Sequence, residues 1–247
     1  MQVNQIEEAL VSLYLRLNGY LTSGFIVHAP RGNKTEIDIL GIRFPYHTEP
    51  EREVGPCAVL APPADRVDII IGEVKGGAKP KFNARLHTNP EALRSVLRRI
   101  GALPEHAIGE LSTEISALLD PRKLGRARSI ARIELGLDQT FASVPTQLRF
   151  PLFAMGRQRD GNAPGSCVYA NDVLDYVWRC LVPQHERCSC AVRYNLEQWG
   201  PAYTPLVRYF KARALAGPGT MADLIAVVGR RPAAGATSVH FDQAELV

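Results

Sequence analysis

The chain has 247 residues, of which 46% are hydrophobic and 22% charged, with a formal net charge of +4. That balance excludes a disordered chain, which lacks the apolar material for a core, and no apolar run is long enough to span a bilayer. The start, Met1 to Glu8, has neither the basic nor the apolar stretch of a signal peptide, so a cytoplasmic protein with reduced cysteines and no membrane partner is expected.

Residues 3–18 predict a helix, with Ile6, Leu10, Leu13 and Leu17 recurring at spacings of three and four. Asn18-Gly19 stops it. Short β-rich runs at 25–28 and 35–44 predict two strands. Residues 45–66 carry Pro45, Pro50, Pro56, Pro62 and Pro63 and read as an irregular insertion. The run Val67 to Lys75 is the clearest strand, with the near-continuous apolar content of a strand buried on both faces. Helices are expected at 90–100 and 104–119, strands at 128–137 and 147–154, a loop from Gly156 to Gly165, and helices at about 171–182, 195–215 and 220–228. This order predicts an α/β protein, with a core over 1–156 and a helical C-terminal extension and tail over 157–247.

Three charged residues break the apolar pattern. Asp38 lies between Ile37 and Ile39 in a predicted strand, on the face of Leu40 and Ile42 if the alternation is regular. Glu73 and Lys75 close the next strand two residues apart, on one face. Charges at the edge of a hydrophobic layer must be paired or bind a metal, and local rules broken in this way mark candidate functional sites. Carboxylate and carbonyl oxygens suit the hard cations Mg²⁺ and Mn²⁺, which polarise phosphoryl oxygens. A lysine beside them can orient water and stabilise charge developing on a phosphate. The competing reading is a surface ion pair at a strand end with a solvated aspartate nearby.

A helix bearing Glu, then a strand Asp, then Glu-x-Lys closing the following strand resembles the PD-(D/E)XK, or restriction-endonuclease-like, nuclease superfamily. The resemblance covers roughly residues 5–76 and, more loosely, the chain to about 155. It implies a restriction-endonuclease-like mixed sheet flanked by helices. It also implies Mg²⁺- or Mn²⁺-dependent cleavage of nucleic acid, most naturally DNA, in restriction, phage defence or repair. Asp38 matches the metal-binding Asp, Glu73 the second acidic ligand, Lys75 the catalytic Lys, and the Val74 carbonyl a further ligand. The N-terminal helix is similar to those of Mrr-like nucleases and archaeal Holliday junction resolvases, whose Glu stands eleven residues before a Gly-aromatic pair. Glu8 stands eleven before Gly19-Tyr20, which favours it over the adjacent Glu7 as the helix acid at the metal. Two departures are visible: Ile37 replaces the family's Pro before the Asp, and the insertion lengthens the gap between Asp38 and Glu73. Asp68 is the fallback for Asp38. A nuclease-fold module that binds nucleic acid or a protein without cutting is the alternative function.

Lys79, Lys81, Arg94 and Arg98 follow the centre closely and are expected to contact nucleic-acid phosphates, or else to form a solvated helix face. Arg122, Lys123, Arg126 and Arg128 read the same way. Cys180, His185, Cys188 and Cys190 match no standard zinc spacing, and His28 has no partner pattern. Trp178, Trp199, Tyr176, Tyr194, Tyr203 and Tyr209 interleave with aliphatic residues and read as core or dimer packing more than as a base-stacking platform. A homodimer or partner subunits of a larger system are compatible with a compact chain that has no nucleotide-binding P-loop.

Overall fold

The computed structural model describes residues 1–28, 34–50, 52–124, 126–135, 144–182 and 196–229. Among them, eight α-helices and seven strands form a mixed α/β fold with one open mixed sheet. The first helix, α1 (Val3–Arg16), turns into the sheet at Gly19, whose φ of +84° is accessible to glycine at little steric cost. Strands β1 (Leu21–His28), β2 (Lys34–Arg43) and β3 (Val67–Lys75) then run as an antiparallel trio. Helices α2 (Ala84–Thr88), α3 (Pro90–Ile100), α4 (Glu105–Leu118) and α5 (Pro121–Leu124) lead to β4 (Ala131–Leu135), β5 (Thr146–Phe150) and β6 (Leu152–Ala154).

The expected strand at 147–154 exists as β5 and β6. Both pair parallel with β3 in one continuous register, Val67 opposite Thr146 and Glu73 opposite Leu152. Pro151 interrupts the ladder because it has no N–H to donate, but its carbonyl accepts the Glu73 N–H at 3.2 Å. On the far side, β4 pairs antiparallel with β5, and β7 (Cys167–Tyr169) pairs parallel with β6. The short strand β7 had no sequence signal of its own. It enters α6 (Ala170–Leu181) directly, and a 3₁₀ turn (Leu196–Trp199), α7 (Thr204–Lys211) and α8 (Met221–Val228) follow. The helix expected over 195–215 is therefore shorter, and Gly200, at φ +75°, separates the 3₁₀ turn from it.

Two apolar cores flank the sheet. One joins α1, α6, α7 and α8 through Tyr14, Tyr176, Phe210 and Leu224, with Phe153 of β6. The other packs α3 and α4, through Leu93, Leu97, Ile108 and Ile115, onto Ile69, Ile71 and Leu148. The described residues beyond 157 thus extend the same sheet and the same core as α1. The edge-to-face pair of Tyr14 and Tyr176, 5.4 Å between centroids, ties α1 to α6. The insertion joins in as well: Cys57 and Leu60 are buried, the Cys57 N–H donates to Asn18 Oδ1 at 2.8 Å, and Arg52 donates to the Tyr176 hydroxyl at 3.0 Å. Tyr176, Tyr209, Trp178, Trp199 and Tyr203 all belong to or pack against that core, while Tyr194 lies outside the described residues. Among the described residues, no helix is long and apolar enough to cross a membrane.

Candidate functional site

The antiparallel register of β2 and β3 matches Ile39 with Gly72, so one step further Asp38 stands opposite Glu73. A bulge lies at the same point. Ser23 of β1 faces Leu40, but Phe25 faces Ile37, so Asp38 and Ile39 together oppose the single residue Gly24. The strict alternation expected from the sequence therefore breaks here: Ile37, Leu40 and Ile42 share one core while Ile39 enters the other. Bulges kink a strand and re-aim its side chains, and this one carries Asp38.

The Asp38 carboxylate accepts the backbone N–H of Val74 at 2.8 Å. Lys75 Nζ lies 3.4 Å from the same Asp38 oxygen and is bonded to Glu73 Oε1. The two carboxylates and the lysine thus come together across adjacent strands. Glu73 is almost wholly buried, its side chain 4% exposed. Burial, then the negative charge of Asp38, pushes its pKa up from 4.5 to about 7, against the opposing pull of Lys75. Burial alone would lower the pKa of Lys75, but its hydrogen bond to Glu73 and the charges of Glu73 and Asp38 outweigh that, and the net shift is upward. Lys75 is therefore an ammonium donor at neutral pH.

The two helix acids part company. Glu8 has its pKa raised by burial and then by the charges of Asp38 and Glu36, with Lys75 opposing, so it stands within electrostatic reach of the centre. Glu7 is buried and faces the turn after β3: a Cβ on Gly76 would collide with its Oε1. The fallback residue Asp68 belongs elsewhere. It is fully buried near the other end of β3, paired with Arg149 and hydrogen-bonded by Gln147 at 3.0 Å and by the Tyr20 hydroxyl. The Gly19-Tyr20 landmark thus serves a buried ion pair.

The flanking cations also divide. Lys79 and Lys81 are exposed just past β3. Arg94 bonds Glu91 at 2.6 Å and Arg98 holds both oxygens of Glu105, so these two brace α3 internally and against the start of α4. Arg122 is held by Asp120. His185, Cys188 and Cys190 lie outside the described residues, as does the His28 side chain, while Cys180 is buried and its sulfur accepts a hydrogen bond from Arg52 at 3.4 Å. Arg157, passed over in the sequence because it sits in a predicted loop, stands at the same sheet edge as Lys75. Its spacing offered no signal.

Asp38 and Glu73 are hard oxygen donors that share Lys75, and burial, then the Asp38 charge, raises the Glu73 pKa, so added positive charge there is favourable. They suit a cation such as Mg²⁺, which binds one or two carboxylates and keeps several waters. Among the described residues, no group of three or more His, Cys, Asp or Glu is arranged to hold a metal ion. Comparisons with protein-family models, curated proteins and solved structures gave no match.

Proposed function

We propose that the chain is a metal-dependent nuclease with a restriction-endonuclease-like core, hydrolysing phosphodiester bonds in DNA. The observation that carries this reading is the convergence of Asp38 and Glu73 on Lys75 at the end of a buried strand. The mixed α/β class, with helices on a mixed sheet, supports it at the coarser level.

In this reading Asp38, Glu73 and the Val74 carbonyl would hold Mg²⁺ or Mn²⁺, with Glu8 adding negative charge from α1. A cation bound there would supply polarisation of a phosphoryl oxygen and a more acidic water. Asp38 is kept in place by the Val74 amide. Lys75, an ammonium at neutral pH, donates a hydrogen bond to the attacking water or to a phosphate oxygen as charge builds up there. Lys79 and Lys81 extend positive charge beyond the centre. Restriction, phage defence and repair are the settings that the resemblance suggests, and the link to them is one of analogy.

A second reading, a nuclease-fold module that binds without cutting, is favoured by the lack of a three-ligand group among the described residues. Incubation of purified protein with plasmid DNA, and separately with RNA, in Mg²⁺ or Mn²⁺ separates the two. Cleavage lost in both Asp38→Ala and Lys75→Ala supports the nuclease. Binding without cleavage by the wild type supports the module.

A further inference from the structure

Three parallel strands end at one edge of the sheet: β3 at Lys75, β6 at Ala154 and β7 at Tyr169. The register puts these last residues in one row, Lys75 beside Ala154 and Ala154 beside Tyr169. With strands about 4.8 Å apart, Lys75 and Tyr169 stand about 10 Å from each other. The chain leaving β6 is pinned to this edge. Met155 N–H donates to the Lys75 carbonyl at 2.8 Å, Arg157 N–H to the Ala154 carbonyl at 3.2 Å, and the Arg157 carbonyl accepts from Ala170 N–H, at the start of α6, at 3.1 Å. The carboxyl ends of parallel strands are where α/β sheets place their ligands.

The two arginines of this connection are in different states. Arg159 is neutralised: it bonds Asp172 at 2.9 Å and its guanidinium lies 4.9 Å over the Tyr169 ring. Among the described residues, the one ion-pair partner of Arg157 is Asp160, 4.0 Å away, and the Arg157 side chain is 39% exposed. Arg157 therefore combines a fixed backbone with an accessible, weakly compensated guanidinium, at the end of the strand next to Lys75. An arginine fork suits phosphate oxygens in geometry as well as charge.

We propose that Arg157 binds a backbone phosphate of DNA flanking the one presented to Lys75, so that the strand crosses the ends of β3 and β6. The proposal rests on the nuclease reading and assigns Arg157 to substrate positioning. One DNA strand rises about 3.4 Å per nucleotide, so the contacted phosphate lies one to three nucleotides from the scissile bond. Such a contact fixes register and reads no sequence.

The test is binding of a labelled DNA oligonucleotide by fluorescence anisotropy, without divalent metal, across a salt series. Arg157→Ala is expected to weaken binding several-fold and to reduce the slope of log K against log salt by about one, with Arg157→Lys recovering part of the loss. A single neutral methylphosphonate near the scissile position should weaken binding to the wild type and add nothing in Arg157→Ala. This substitution also tests the contact on unmutated protein should the alanine variant misfold. Unchanged affinity and slope in Arg157→Ala, or equal sensitivity of both proteins to every methylphosphonate, overturns the proposal. Cleavage with Mg²⁺ is scored separately. Binding that depends on Arg157 without any cleavage removes the nuclease reading and leaves the contact standing, whereas no DNA binding by the wild type removes both.

Discussion

The Val74 amide donates to the Asp38 carboxylate at 2.8 Å, joining the bulged second strand to the buried third one at the point where the acidic residues meet. Asp38 thus has two separable duties: to satisfy a backbone donor and to carry charge. Asp38→Asn keeps an acceptor for the amide, while Asp38→Ala leaves it without one. Cleavage should fall at least about a hundredfold in both. Only the alanine variant should also lose about 1–3 kcal/mol of stability, the cost of an unsatisfied donor. Plasmid cleavage and urea denaturation measure the two effects.

Lys75 compensates two carboxylates at once. Lys75→Met removes that compensation, and because Lys75 holds the Glu73 pKa down, that pKa should climb further. Activity should drop about 100- to 1000-fold. Carboxyl ¹³C NMR of labelled glutamate checks the direction of the pKa change, and a downward move would contradict the assigned geometry.

The raised pKa of Glu73 has a definite sign in the stability curve. Its folded value of about 7 lies above the ordinary 4.5, so the folded state binds the proton more tightly than the unfolded state. The resulting stabilisation is full below the ordinary value and is lost as pH rises through about 7. The span corresponds to about 3 kcal/mol. Metal-free protein should therefore lose stability between pH 4.5 and 7 relative to Glu73→Gln, in which this contribution is absent. Mg²⁺ should bind more tightly as pH rises over the same window, because it competes with the proton. Denaturation at several pH values, with and without Mg²⁺, reads both.

A methyl group on Gly76 would collide with the carboxylate of the buried Glu7, which would have to shift to admit it. Gly76→Ala should destabilise the fold by about 1–3 kcal/mol, as overpacking does. Combining it with Glu7→Ala, which removes the obstacle, should return most of the loss in thermal denaturation. Two additive effects would show that the collision is not the cause.

The buried pair of Asp68 and Arg149 gives a contrast between fold and function. Arg149→Ala strands a buried carboxylate and should cost about 3–5 kcal/mol. At temperatures where the variant remains folded, its metal-dependent cleavage should stay within a few-fold of wild type, since Asp68 is not part of the proposed centre. A loss matching that of Lys75→Met in folded protein would place the pair within the chemistry.

Helices with strong periodicity were readable from residues alone: 90–100 matches α3, and 104–119 differs from α4 by one residue at each end. Val67 to Lys75 was likewise plain as a strand, because its apolar run has the length and β-branching of a buried one. The three-residue β7 was invisible, since its hydrogen bonds come from β6 and not from any local pattern. The split of the 147–154 strand at Pro151 shows why boundaries are harder: one missing N–H interrupts a ladder whose register still continues.

The sequence by itself determined the composition of the candidate centre, Asp38 and Glu73 with Lys75, because charged residues inside apolar strand runs conflict with local preference wherever they fold. Only the tertiary structure decided their arrangement. The bulge at Asp38, the different surroundings of Glu7 and Glu8, and the placing of Arg157 at the Lys75 edge all depend on pairing between distant segments. Cross-strand register and the packing of α1 over the strand ends arise from contacts tens of residues apart, and local propensity carries no record of them.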